Sequence, residues 1–542
     1  MIRALVALSI NTLTRLLLLS IFLLPYTVQA DTSREQFIES LLAEAEDASL
    51  AQNPEWLKLL HYTQANTGGG ESEIVSPEFF LDPAGHSDPE LELEATLRAF
   101  YKPIPDDPNQ HARCRFPARL HWLQTKLSFA AQAMPYAECP DLLRWARFRH
   151  LQSISVISVS GFFGNPASAF GHLLIKLNNS PNQAAENLLD TGVNFGAAIP
   201  DDENILLYIG RGLFGGYRAS FSDRKFYAQY NVYADSEARD MWEYELNLTH
   251  TQQRFLIFHL WELVGQEYVY YFLRENCGQR MAEVLELALN IDLDSRSGGW
   301  YLPITLFHRL HDIDARAPGS LIRKIRYIPA RERRFERVYE SLTESQKNAF
   351  SRVVKRIDEE GQTTELNLLT LHSPRLRDAV DAYFRYRLAT IRYAKSGESE
   401  RQRLKQVLES LNADSSASAD AASQGLVPDA PPPAAGSKPS RVRLGAVRFD
   451  NDISATSLRY SPAYYELLGN NNFDHAELIV MDFEFYDSED SGLDLHNLDL
   501  ISIQELANDN TGYLNSGGVS WRAYAGINRN TTTCDDCYQL EL

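Results

Sequence analysis

Cys277 and His172 are the two residues whose types and surroundings are suited to covalent chemistry. Cys277 opens the stretch Asn276-Cys277-Gly278-Gln279-Arg280-Met281-Ala282-Glu283-Val284-Leu285. Met281, Val284, Leu285 and Ala288 recur at helical spacing, and Cys277 falls on the same inward face. A thiol at a helix N-terminus feels the positive end of the macrodipole and several unpaired backbone N–H groups. Both favour the thiolate, which is the nucleophilic form. Cys277 is therefore a candidate catalytic cysteine.

The cysteine count supports this choice. Arg3 and Arg15, the apolar run Leu16 to Leu24 and the small residues Val28-Gln29-Ala30 before Asp31 read as a secretory signal over residues 1–30. The run is short for a membrane span, and no other stretch of the sequence is long enough. Export leads to an oxidising space where cysteines pair. Cys114 and Cys139 flank one segment, and Cys534 and Cys537 form a CxxC, for which a disulfide is favoured over zinc because no histidine lies nearby. Pairing each set leaves Cys277 alone. A leftover thiol in an exported chain is either reactive or deeply buried.

A cysteine nucleophile needs a base, and His172 is the best placed of the 13 histidines. It lies in the alternating run Phe170 to Asn178, after Gly171, whose missing side chain leaves room for another backbone. An isolated histidine in a strand is more often a satisfied core residue; the lone cysteine tips the choice toward a base. His250 and His259 belong to an apolar helix and read as structural.

These residues need elements to position them. The chain has 542 residues, enough for three or four domains. Its net charge of -20 argues against nucleic acid and against adhesion to anionic lipid by charge alone. A helical N-terminal domain is expected over 31–150. A Cys/His α+β domain follows over 151–300, with strands at Ser153 to Ser160, Phe170 to Asn178, Leu188 to Phe195 and Ile205 to Gly210. The glycine-rich Gly210 to Gly216 reads as a hairpin or flap, since no Lys-Ser/Thr follows it to make a phosphate loop. A long apolar helix, Thr251 to Tyr271, leads to Cys277. Residues 301–412 read as helices, 413–440 as a disordered Ala/Ser/Pro linker, and 441–542 as period-two strands of an antiparallel, barrel-like domain. A partial outer-membrane barrel and a soluble β-domain share that strand pattern.

The run Asn165-Pro166-Ala167-Ser168-Ala169-Phe170-Gly171-His172, together with Glu275-Asn276-Cys277-Gly278, resembles the DUF4105 family, also called the Lnb N-terminal periplasmic domain. Cys114-Arg115-Phe116-Pro117-Ala118-Arg119 and Trp242 to Leu248 add to the likeness, which spans roughly residues 90 to 300. The order, histidine strand before cysteine helix, is also similar to circularly permuted NlpC/P60 enzymes of the papain-like class.

The resemblance implies a permuted papain-like catalytic fold and acyl transfer through a thioester, as in N-acylation of bacterial lipoproteins. Cys277 would attack the acyl ester, His172 would take its proton, and Asn194 would orient the imidazole through its amide oxygen. Asn276, Ser168, Tyr227 and Tyr230 are candidates for the oxyanion hole or pocket, beside the backbone N–H of Cys277. No metal or other cofactor is implied. The expected partner is a lipid or lipoprotein in the periplasm, with outer-membrane association through the β-domain. Lnb-type acyltransferases carry membrane-spanning helices after this domain, and this sequence carries helices, a linker and strands instead. A cysteine hydrolase acting on peptidoglycan and a non-catalytic envelope protein are the alternatives. A long apolar groove beside Cys277 would favour acyl chains, and an open polar cleft would favour muropeptides.

Overall fold

In a computed structural model the chain is described over residues 34–541, apart from 65–68, 130–133, 164–167, 180–187, 201–202, 296–298, 361–372, 393–397, 414–431, 449–453, 468–475, 489–491, 508, 510, 515–518 and 530–537. The signal sequence, Asn165 to Ala167 and the Cys534/Cys537 pair lie outside the described residues.

One compact unit runs up to Ala146 and includes Arg254–Tyr268. Its helices span 34–47, Pro54–Leu59, Pro89–Phe100 and Pro117–Lys126. Proline at the first helical position costs no hydrogen bond there, and the side chains of Asn53 and Asp88 accept from the free N–H groups that follow. Among the buried Trp56, Leu97, Phe100 and Leu123 sits a fully buried guanidinium, Arg119. It pairs with Glu92 and Glu262, donates to Phe79 O at 2.8 Å, and lies between the rings of Phe79 and Phe116. A disulfide joins Cys114 to Cys139. The long helix expected to reach Tyr271 stops sooner. It spans His250–Leu263, and Gly265, at φ +87°, turns the chain into the strand Glu267–Tyr270.

The second unit comprises Arg147–Gln253 and Val269–Leu542. Its core is a seven-stranded sheet of β1 (Ser153–Val159), β2 (His172–Asn178), β3 (Thr191–Ala197), β4 (Tyr217–Lys225), β5 (Met241–Leu246), β6 (Glu267–Tyr270) and β7 (Ile322–Ile328), in the order β6-β4-β3-β2-β1-β5-β7. The β4-β3-β2-β1-β5-β7 pairings are antiparallel. Every residue of β1 is buried, which suits a central strand covered on both faces. Register places Val159, His172 and Met241 on one face, with Ser158, Leu173 and Trp242 on the other.

Two sequence expectations fail here. Ile205–Phe214 is a helix, α1, and not a strand ending in a glycine-rich hairpin. Short apolar runs carry no period that separates the two. Arg323 does not begin a helix, because Ile322–Ile328 is the sheet-edge strand β7 paired with β5. The helices α2 (Cys277–Leu289) and α3 (Pro303–Arg316) lie close to the sheet, α2 along β2 and β3. Gly278 permits their close approach, since a Cβ there would lie 2.8 Å from Pro303 Cα.

Helices α4 (Arg331–Glu340), α5 (Glu344–Glu360), α6 (Pro374–Arg392) and α7 (Glu398–Ala413) bury Phe335, Phe350, Tyr383 and Phe384 together. The end of the expected linker is ordered. Pro433–Ala435 forms a 3-10 turn, and the buried Ala434 donates its N–H to Tyr244 Oη at 3.3 Å.

The C-terminal strands are β8 (Arg441–Arg448), β9 (Ser454–Ser461), β10 (Ala463–Tyr465), β11 (Ala476–Ser488), β12 (Gly492–Glu505), β13 (Trp521–Arg529) and β14 (Tyr538–Glu541). They form an open antiparallel sheet, β8-β9-β11-β12-β13-β14, with β10 on β11. The barrel expectation is corrected on this point: β8 and β14 are edges and do not pair with each other. Alternation separates two faces of different polarity but carries no signal for closure. Val442, Leu444, Leu458, Tyr460, Phe483 and Phe485 share one face; Arg459 on the other pairs with Asp482, Glu484 and Asp499.

Candidate active site

The site is built at the end of β2 where the α2 N-terminus arrives. Asn276 caps that helix completely. Its Oδ1 accepts from Gly278 N at 2.9 Å and Gln279 N at 3.3 Å, while Nδ2 donates to Phe272 O at 3.0 Å and Tyr301 O at 2.8 Å. Both side-chain polar atoms of Asn276, a candidate for the oxyanion hole or pocket, are thus engaged within the cap.

Cys277 is the free cysteine among the described residues and is 3% exposed. The backbone N–H groups of Leu173 and Gly278, its own N–H and the Arg239 charge all favour the thiolate. These lower its pKa, yet burial is the larger effect and pushes the thiol up to about 11. The sequence argument had the sign of the helix end right but left out this desolvation. At neutral pH the resting group is a thiol.

The N–H of Leu173 is available because two ladders end at different places. Strand β2 pairs with β1 as far as Val159↔His172, but with β3 only as far as Leu174↔Asn194. Beyond that last pair, the Leu173 amide is near enough to the sulfur to favour its thiolate.

His172 is the residue just before Leu173 and is partly exposed. Gly171 precedes it at φ +85°, and a Cβ there would lie 2.9 Å from Val159 O, so this turn requires glycine. The imidazole packs against Tyr233, ring centres 5.7 Å apart. Burial first, then the positive charge of Arg239, holds its pKa down to about 3. The imidazole is therefore neutral at physiological pH and able to accept a proton.

Asn194 is held by two neighbours. Its Oδ1 accepts from Ser222 Oγ at 2.6 Å, and its side chain also bonds the Tyr233 hydroxyl. Tyr233 thus touches both His172 and Asn194, and it feels the charge of Cys277. Arg239 stacks over the same ring at 5.1 Å. Tyr233 and Arg239 were not singled out in the sequence. The ladder Tyr227, Tyr230, Tyr233 held the clue, and a π-helical turn over Asn231–Ser236 sets which tyrosine faces the site. Tyr227 is 46% exposed, and Tyr230 packs against Phe226 with Arg331 over its ring. The Ser168 carbonyl accepts from Phe162 N and Gly171 N, both at 3.0 Å, which makes it part of the turn before His172.

Helix α1 adjoins the segment that leads to Cys277. Gly212 O accepts from Phe272 N at 2.8 Å, and a Cβ on Gly212 would collide with the Phe272 ring. The same helix exposes Leu207, Leu213 and Phe214, the last at 84%. Exposed apolar side chains grouped on one short helix are a lipid-compatible surface.

Comparison with known families agrees with the resemblance. Residues 141–312 match the Lnb N-terminal periplasmic domain, the family whose motifs the sequence resembles. Residues 48–126 match a domain of unknown function, DUF7843, and residues 430–542 match another, DUF7840. No curated protein and no solved structure matches the chain. A periplasmic domain family fits a cell-envelope location. Among the described residues, no helix is long and apolar enough to cross a membrane.

Proposed function

We propose that this protein is a periplasmic thiol acyltransferase related to lipoprotein processing, with Cys277 as nucleophile and His172 as general base. The observation that carries the reading is the packing of α2 along β2 and β3, with the Leu173 amide, next to His172, near enough to stabilise the Cys277 thiolate. The Lnb-type domain supports the reaction class, and the exposed apolar side chains of α1 favour an acyl chain over a muropeptide.

In this reading a neutral imidazole takes the thiol proton as sulfur attacks the ester carbonyl. The backbone N–H of Cys277 at the α2 N-terminus is the donor offered to the developing oxyanion. Collapse forms the thioester and expels the alkoxide, which receives the proton from His172. An amine then attacks the thioester, giving an amide and returning the thiol. Tyr233 and Asn194 hold the imidazole in place. The permuted NlpC/P60 likeness belongs to the same proposal and rests on the order of histidine strand and cysteine helix.

The test is trapping. The purified chain is incubated with cell-envelope extract and read by intact mass. A fatty-acyl adduct on Cys277, removed by hydroxylamine and absent in Cys277→Ser, is expected. A muropeptide adduct would select the hydrolase instead, and no adduct of either kind would refute both.

A further inference from the structure

The chain that follows Ala413 returns to α3 and shapes a cavity against it. The turn Pro433–Ala435 lies along that helix. Beyond the turn, Ser437 O meets His308 Nε2 at 3.3 Å, Pro439 O accepts from Tyr464 N at 2.8 Å, and Ser440 Oγ donates to Pro462 O at 2.7 Å. The segment is thereby fastened to α3 on one side and to the C-terminal sheet on the other. Lys438 to Ser440 form one wall of a cavity of about 220 Å³; Thr305, Arg309 and Asp312 of α3 form another, and Trp300 and Tyr301 complete it.

The charges around this cavity are matched in pairs. Arg309 pairs with Asp294, and Lys438 pairs with Asp312 at 3.5 Å. His308 also lines it, and burial first holds its pKa below the usual histidine value, which leaves the ring neutral. Phosphate or a metal ion calls for an excess of the opposite charge, and this balanced set supplies none. Both ion pairs are partly exposed, so they can exchange water for the hydroxyl groups of a ligand. An indole beside them offers a flat apolar face. A neutral pyranose combines both requirements, with C–H groups to stack on the ring and vicinal hydroxyls for the paired carboxylates and cations. The cavity is smaller than the roughly 300–1,000 Å³ of sites for drug-sized ligands, and its size suits one sugar ring.

We propose that this cavity is a saccharide site for a neutral pyranose unit of an envelope glycan, with Trp300 as its stacking platform and the two ion pairs as hydroxyl partners. The inference does not depend on the thioester reading, because a sugar held here anchors the protein without entering the reaction. The cavity is nonetheless joined to the α2 cap. Tyr301 donates its N–H to Leu273 O at 2.9 Å, and its carbonyl accepts from Asn276 Nδ2 at 2.8 Å.

The purified full chain is titrated with N,N′-diacetylchitobiose and with maltose, and binding is read by calorimetry and by tryptophan emission. Saturable binding of at least one disaccharide is expected, weakened about tenfold or more in Trp300→Ala and partly restored in Trp300→Phe. Binding of the chitobiose alone assigns the site to an N-acetylated wall-type glycan, and binding of maltose assigns it to a plain hexose polymer. Inorganic phosphate should not compete with either. Competition by phosphate, or no binding of either disaccharide up to about 10 mM, overturns the proposal.

A footprint on the wild type needs no variant. Lys438 is exposed at the cavity, so bound disaccharide should slow its acetylation by an N-hydroxysuccinimide ester, read by peptide mass, while the exposed Lys405 reacts as before. Disaccharide binding that leaves Lys438 unprotected would put the sugar elsewhere and refute this assignment.

Discussion

At the residue scale, the site pairs a thiol held up by burial with an imidazole held down by burial and by Arg239. It therefore rests as a neutral pair, and in the proposed mechanism the proton moves during attack. The pH dependence has a definite sign. A depressed imidazole pKa keeps the base unprotonated in mild acid, so the acid limb of kcat/KM for thioester formation should lie well below pH 6.5. A limb at the free-histidine value would show that His172 is not the base. Alkylation of Cys277 should rise steadily with pH toward about 11, without a plateau near neutrality. Tyr233→Phe removes the hydroxyl from Asn194 while keeping the ring against His172. We expect kcat to fall by about tenfold with little change in KM; an unchanged kcat would confine Tyr233 to packing.

At the element scale, the N-terminus of α2 is where positioning is concentrated. Asn276→Ala removes a cap and leaves the buried carbonyls of Phe272 and Tyr301 without their donor. A loss of about 2 kcal/mol or more in urea denaturation is expected; a loss under about 0.5 kcal/mol would mean that another group takes over the cap. The helix and the histidine strand were legible in the sequence because both combine a strong period with a distinctive residue at the end. Asn194 was legible as a strand residue, but not its neighbours, because Ser222 depends on the register between two strands and Tyr233 on the π-helical turn that carries it. Helix α1 was misread because five apolar residues in a row, Ile205 to Ile209, fit either period. Arg239 looked like any surface arginine, since nothing local reports its burial.

At the scale of the whole molecule, the two compact units carry different kinds of stabilisation. The first depends on the Arg119 node, where two carboxylates and a carbonyl meet one guanidinium with no exposure to water. Removing the cation with Arg119→Met strands Glu92 and Glu262 in the core. A loss of about 3–5 kcal/mol is expected for that unit, read as an early protease-sensitive or calorimetric transition; wild-type melting would show that the carboxylates find other partners. The second unit joins the core sheet, the helices and the C-terminal sheet. That last sheet differs from the barrel expected because closure is a property of edges, and strand β8, exposed along most of its length, has β9 as its one partner.

The unequal ends of the two ladders on β2 have a consequence of their own. The Leu173 amide lies beyond the last rung toward β3 and beside the Cys277 sulfur, so the strand forks where the proposed nucleophile sits. Adding one rung would silence the sulfur without altering any side chain that does chemistry. In the proposed mechanism, competence and strand registry are the same variable at this fork.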